Sequence, residues 1–300
     1  MASHVITRPI NRRYKQAPLA PVRRFVLLRQ LVHDTPALIG LVMLTILVGM
    51  AVFANQVAPY DPAATSPLAS LEGPSRAHLL GTDSLGRDMF SRIVHGARWS
   101  LGAAATASAA IVVLGVSIGI IAGYFGGIVD AMLMRLVDVL MAFPSMILAL
   151  AIVGMLGPSL RNVLIGMVAV WWVDYARIVR GITLRVMQNE YVNAAQCCGC
   201  HPVRTMLRHI FPNVIPTVVV LATLELGSLM LAISGLSFLG LGAQPPTPEW
   251  GTMINDGRMF FLNEPQLMMY PGLAITLVVL ACNLVGDGMR DALDPRSRKR

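Results

Sequence analysis

Three of the chain's four cysteines stand within the short stretch AAQCCGCHPVR, Ala194–Arg204. Cys197, Cys198, Gly199, Cys200 and His201 spell C-x-x-C-H, the pattern of covalent haem attachment. Thiols and an imidazole at this spacing also suggest zinc. A zinc site needs about four ligands, and His209 is the one plausible nearby addition. Adjacent cysteines reach one tetrahedral centre only with distortion. The third reading is packing: free cysteine behaves as a small apolar residue, and here it alternates with Ala and Gly. The choice depends on the elements that carry these residues and the compartment they face.

Of the 300 residues, 55% are hydrophobic and 13% charged, about half the charge of a soluble domain. Mean hydropathy is +0.63. A transmembrane helix needs about 20 mostly apolar residues. Six segments qualify: Pro36–Val57, Ser100–Tyr124, Ala131–Val153 (interrupted by Pro144), Val163–Ile182, Val214–Leu241 and Tyr270–Val285. Unpaired peptide groups are excluded from hydrocarbon, so these runs are helices. The short alternating segments of a β-barrel are not the pattern. The expected class is an all-α membrane protein with six transmembrane helices.

The first 35 residues do not read as a signal peptide, because no small-residue cleavage site follows the first apolar run. They form a basic arm with Arg8, Arg12, Arg13, Lys15, Arg23, Arg24 and Arg29. Orientation and contact with anionic lipid explain such an arm. Nucleic acid is not an expected partner, since no binding motif accompanies the charge. The positive-inside rule places the arm in the cytoplasm. Six crossings return the tail, with Arg290, Arg296, Arg298, Lys299 and Arg300, to the same side. The loop between the fourth and fifth helices, flanked by Arg177, Arg180, Arg185, Arg204 and Arg208, falls there too. Against the rule, residues 58–99 should be outside yet hold Arg76, Arg87, Arg92 and Arg98, accompanied by Asp61, Glu72, Asp83 and Asp88. The expected division is a cytoplasmic arm 1–35, a first helix 36–57, an extracytoplasmic loop 58–99, a core 100–290 with a cytoplasmic loop 183–212, and a cytoplasmic tail 291–300.

On that topology the cysteine cluster is cytoplasmic, where thiols stay reduced and covalent haem attachment is out of place. Packing is the expected role of Cys197, Cys198 and Cys200. Cys282, in the sixth helix, is expected to face lipid or core. His33, His78 and His95 are expected as polar residues at membrane edges.

The spacing around the cysteines carries a different signal. Ala194 and Ala195 precede Gly199, which can stop a helix in left-handed backbone. Pro202 suits the first turn of a new helix. A short helix, a turn and a second helix leading into the membrane would suit docking into a groove on a cytosolic partner. This loop resembles the EAA motif of ATP-binding cassette importer permeases, E-A-A-x3-G-x9-I-x-L-P. Ala194, Ala195, Gly199 and Pro212 match in register, while Asn193, His209 and Phe211 replace the motif's Glu, Ile and Leu. Glu190 lies nearby as a substitute charge. HLLGTDSLGRDMFSRIVHGARWSL (His78–Leu101), FLGLGAQPPTPEWG (Phe238–Gly251) and NLVGDGMRDALDP (Asn283–Pro295) resemble the dipeptide/oligopeptide-type permeases, and within them the second, C-type subunit. The likeness covers residues 36–296.

The resemblance implies a type I importer permease fold in the bacterial plasma (inner) membrane. It implies a second homologous permease subunit, two ATPase subunits and an extracytoplasmic substrate-binding protein. ATP and Mg would belong to the ATPase subunits, with no cofactor or metal bound by this chain. Relatives import dipeptides, oligopeptides, glutathione, nickel complexes or opine-like solutes. The residues expected to couple to the ATPases are Glu190, Asn193, Ala194, Ala195, Gly199, His201 and Pro202.

The chain's own residues agree that the energy comes from elsewhere. A Walker A loop needs Gly-Lys before Ser or Thr, and the only lysines, Lys15 and Lys299, follow Tyr14 and Arg298. H-E-x-x-H does not occur, and catalysis is not expected. Ionisable residues inside membrane helices mark paths, gates or pairs. Glu225 is a candidate pore residue for cationic or amine groups, with an interhelical hydrogen bond as the alternative. Asp174, Arg177 and Arg180 are candidate gate residues, Asp174 and Arg177 being placed to pair three residues apart. Asp130, Arg135 and Asp138 read as snorkelling or local pairs. The small residues of the second helix read as close packing. Glu249 and Trp250 are candidates for contact with a binding protein, Trp250 as an interface anchor. The alternative function is a gradient-driven secondary transporter, a class with inverted repeats and broken helices; no convincing repeat relates residues 36–153 to 163–285.

Overall fold

A computed structural model describes residues 34–293. The basic residues of the N-terminal arm, His33, and Arg296, Arg298, Lys299 and Arg300 lie outside the described residues. Helices α1 (Thr35–Val52) and α2 (Ala54–Val57) are followed by a long loop, then by α3 (Met89–Phe125), α4 (Gly127–Met141), α5 (Ser145–Leu156) and α6 (Leu160–Met187). Next come two short helices, α7 (Glu190–Cys197) and α8 (Pro202–Thr205), and a π-helical turn, Met206–Ile210, that runs into α9 (Phe211–Phe238). α10 (Trp250–Gly257) and α11 (Gln266–Leu293) complete the chain.

Among the described residues five helices are long and apolar enough to cross a membrane: α1, α3, α6, the continuous run Pro202–Phe238, and α11. The expected third segment is not straight. α4 and α5 meet at 87°, so the pair counts as a sixth span or as a re-entrant element. The cause is local: Pro144 takes φ −58° and ψ 119°, and proline disfavours helix in the residue before it.

The expected boundaries shift, the sixth helix running to Leu293 rather than Val285, and two of the shifts bear on one end of the molecule. The first helix breaks at Phe53 rather than running unbroken to Val57. The second begins at Met89, not Ser100, so the expected loop 58–99 loses its last part to helix. Asp88 supplies the reason, accepting the Ser91 N–H at 2.7 Å as N-cap. The added turns are amphipathic, burying Met89, Arg92, Val94 and Ala97. At 37 residues and about 1.5 Å per residue, α3 outreaches the ~30 Å of hydrocarbon.

α3 lies along α6, and glycines at every fourth position set the distance. A Cβ on Gly115 would stand 2.3 Å from the Tyr175 Cβ, on Gly119 2.6 Å from the Ala176 carbonyl oxygen, and on Gly123 2.7 Å from the Thr183 Cβ. α11 closes on α1 in the same way, with Gly288 against Ala37 and Gly40 against Leu284. The small residues of the second helix are therefore packing surface.

These contacts sort the helix ends. Tyr60 N–H donates to Ser91 Oγ, Ser159 N–H to the Leu241 carbonyl, and Trp250 sits on Gly96. The long loop, the start of α3 and α10 therefore share one end. The parallel α3–α6 and antiparallel α1–α11 contacts carry Asp34, the end of α11 and the α7–α8 segment to the other.

Candidate functional site

At the second end, α7 stops as its residues dictate. The N–H groups of Cys198, Gly199 and Cys200 donate to the carbonyls of Ala194, Gln196 and Ala195 at 3.0, 2.9 and 3.0 Å. Gly199 takes φ +77°, and a Cβ placed on it would meet nothing within 4 Å, so backbone freedom alone requires glycine there. His201 is the extended N-cap of α8 and Pro202 its first residue. Val192, wholly buried, anchors α7. Glu190, Asn193, Ala194 and Cys197 are exposed, and their i, i+3, i+4, i+7 spacing makes one face. Ala195 is half-buried beside them and His201 is exposed. A further tie was not apparent from the motif: Asn213 Nδ2 donates to the Tyr191 hydroxyl (3.1 Å) and to the His209 carbonyl (2.6 Å). It joins α7 directly to the start of α9.

The cysteines do not play the packing role expected of them. Cys197 and Cys198 are exposed, Cys200 is half-buried, and all are free thiols. Cys282 lies in the core. Among the described residues, no group of three His, Cys, Asp or Glu side chains has a geometry that could hold a metal ion.

Between the ends, α6 and α9 border an open crevice of about 270 Å³ lined by Asp174, Tyr175, Ile178, Leu221, Leu224, Glu225 and Ser228. The buried Tyr175 side chain lines it together with Glu225. The expected Asp174–Arg177 pair does not form. Arg177 Nη2 meets Asp138 at 2.6 Å, and Arg180 Nε and Nη2 both meet the Asp130 carboxylate at 2.5 Å. Two arginines of α6 are thus committed to α4 rather than to a carboxylate of their own helix. Asp174 and Glu225 form no ion pair with any described residue. The crevice keeps two carboxylates, while Arg177 and Arg180 tie α4 to α6.

The opposite end overturns one expectation. Glu249 and Trp250 are both 0% exposed, so neither can touch a docking protein or anchor at the membrane interface. Glu249 is the N-cap of α10: Oε1 accepts from Gly251 N–H (2.9 Å) and Ser100 Oγ (3.2 Å), and Oε2 from Thr252 N–H (2.9 Å). Trp250 Nε1 donates to the Ile93 carbonyl at 3.0 Å. The sequence PEWG pins α10 onto α3.

The same end accounts for two of the four arginines that weakened the topology rule, Arg76 and Arg98 being exposed. Arg87 and Arg92 are buried. Arg87 Nε lies 2.6 Å and Arg92 Nε 3.4 Å from Asp83 Oδ2, while Asp256 stands 3.6 and 3.7 Å from their Nη2 atoms. Asp83 also accepts the N–H groups of Leu85 and Arg87 at 2.9 and 3.0 Å. Burial pushes the Asp256 carboxyl above its ordinary range, with Arg92 and Arg87 pulling the other way. His78, expected as a membrane-edge residue, meets Asp88 at 2.9 Å and lies against the Tyr60 ring. Asp256 was not singled out in the sequence. Four acids among four arginines in residues 58–99 were the visible signal.

Comparison with known proteins adds the family. The family model for binding-protein-dependent transport system inner membrane components matches residues 115–299, and that for the N-terminal transmembrane domain of oligopeptide transport permease C matches residues 25–74. The dipeptide transport system permease protein of Alkalihalophilus pseudofirmus is 42% identical over 90% of this chain and 89% of its own length. The nickel transport system permease protein of Escherichia coli is 44% identical over 86% and 93%. The glutathione transport system permease protein of Pectobacterium atrosepticum is 43% identical over 84% of each.

Proposed function

Because the chain belongs to the family of binding-protein-dependent transport system inner membrane components, as a C-type permease subunit of an ATP-binding cassette importer, we propose how it is oriented, coupled and loaded. It is a multi-pass membrane protein with the type I permease fold, and the ATPase is a separate subunit. The gradient-driven alternative gains no support from these relatives.

The end that carries α7 and α8 faces the cytoplasm of a bacterial inner membrane, with the N-terminal arm and C-terminal tail. The positive-inside rule supports this, and buried Arg87 and Arg92, neutralised by Asp83 and Asp256, no longer weigh against it. The chain pairs with a second homologous permease and two ATPase subunits that hold ATP and Mg. The exposed face Glu190–Asn193–Ala194, with Ala195, Gly199, His201 and Pro202 shaping its turn, docks into an ATPase. Small side chains let the partner approach closely, and Tyr191–Asn213 passes its movement to α9, which borders the crevice. The observation that carries this reading is that tie between an exposed short helix and a crevice helix.

The crevice forms part of the path, Asp174 and Glu225 receiving a cationic or amine group. The solute is a di- or oligopeptide or a related small molecule, as the names of the relatives suggest. A substrate-binding protein docks at the other end. Exposed Leu68, Met259 and Leu262, which flank the ion-pair network, replace Glu249 and Trp250 as its expected contacts. The test is Ala194→Arg in the reconstituted four-subunit importer. ATP-driven uptake should fall at least about tenfold, as the loss of ~1.4 kcal/mol of coupling energy implies, while both permeases still co-purify. Wild-type uptake in that variant would refute docking through α7.

A further inference from the structure

Free cysteine is among the most buried residue types, yet Cys197 and Cys198 are exposed, one after the other. Nothing described in this chain covers them. Cys197 closes the exposed face of α7 that begins at Glu190, and Cys198 is the C-cap of the same helix. Arg185, Arg204 and Arg208 are exposed in the same segment, where Glu190 is the one exposed acid between residues 183 and 212. The field of such a segment draws anionic reagents.

We propose that Cys197 and Cys198 form a covalent modification site for small anionic disulfides, and that modification and ATPase docking exclude one another. The inference rests on the reading of α7 as the docking helix. In the step, the thiolate of Cys197 or Cys198 attacks one sulfur of the disulfide. The new S–S bond forms as the old one breaks, and the second half leaves as a thiolate. The cysteine's proton goes to water, and no oxidant other than the disulfide takes part. The adduct sets a charged, bulky group on the face that carries Asn193 and Ala194. A docked ATPase covers the same thiols and shields them.

Dithiobis-nitrobenzoate, an anionic aromatic disulfide, is the probe. It is added to the intact importer and to the permease pair stripped of its ATPases. In the stripped pair, mass spectrometry should find the adduct on Cys197 or Cys198. In the intact importer labelling there should be slower by about tenfold or more, a barrier difference of ~1.4 kcal/mol. ATPase re-association with the labelled pair should weaken about tenfold and recover with dithiothreitol. In the Cys197→Ser/Cys198→Ser double variant, whatever re-association remains should be indifferent to the probe. Absence of the adduct, equal labelling rates, or an adduct that leaves re-association unchanged would each overturn the inference. Ala194→Arg separates the two claims. If it still binds the ATPases, the docking reading itself fails; if it releases them while the adduct does not, only the modification inference fails.

Discussion

Glu225 and Asp174 face one crevice while both nearby arginines of α6 are drawn away to α4. That division separates residues that handle solute from residues that hold the helices. Glu225→Gln keeps the shape but removes the charge. It should impair ATP-driven uptake with the permease pair still assembled, and normal uptake would remove the pore-charge idea. Charges at the other end are structural. Breaking a buried ion pair costs about 3–5 kcal/mol, and Asp83 additionally holds two backbone N–H groups. Asp83→Asn should therefore lower the melting temperature of the purified subunit more than Asp256→Asn, whose carboxyl is already disfavoured by burial. Equal shifts would contradict that ranking. Residue chemistry was only partly readable from the sequence. Glu249 looks like a loop charge free for a partner until α10 is seen to start on it, and a cap is a property of the helix that follows. The cysteines misled in the opposite sense, because residue type suggested burial whereas α7 carries Cys197 on its outer face.

At the scale of elements, the long apolar runs were readable because hydrocarbon leaves them no alternative to helix. The ends were not, since Met89–Trp99 is amphipathic and its helix depends on the Asp88 cap and on the contact with α10. The two kinds of glycine in the chain predict different failures. Gly119 is steric: Gly119→Leu would force α3 from α6 across a 2.6 Å approach. Such overpacking costs about 1–3 kcal/mol or more, and the variant should show reduced assembled protein in membranes. Gly199 is conformational: Gly199→Ala meets no neighbour but strains a left-handed turn by about 1–2 kcal/mol. It should assemble normally and lose uptake, which quantified membrane protein and transport assays would distinguish.

For the molecule as a whole, the chain's described ends and the α7–α8 segment lie together, and the loop–α10 assembly lies opposite. Parity of crossings made that arrangement readable from charge alone, but not the 87° break in the third segment, nor the link through Asn213. The architecture is one of transmission: a helix held outside the bundle, tied by a hydrogen bond to a helix that lines a crevice. The central claim is that this outer helix binds an ATPase. Affinity purification of the chain from its native membrane, followed by mass spectrometry of the associated proteins, tests it most directly when wild type and Ala194→Arg are compared. The account predicts a second six-helix permease in both preparations and ATPase subunits in the wild type alone. ATPase subunits retained equally by Ala194→Arg, or a wild-type chain that purifies by itself and takes up solute on an ion gradient, would contradict it.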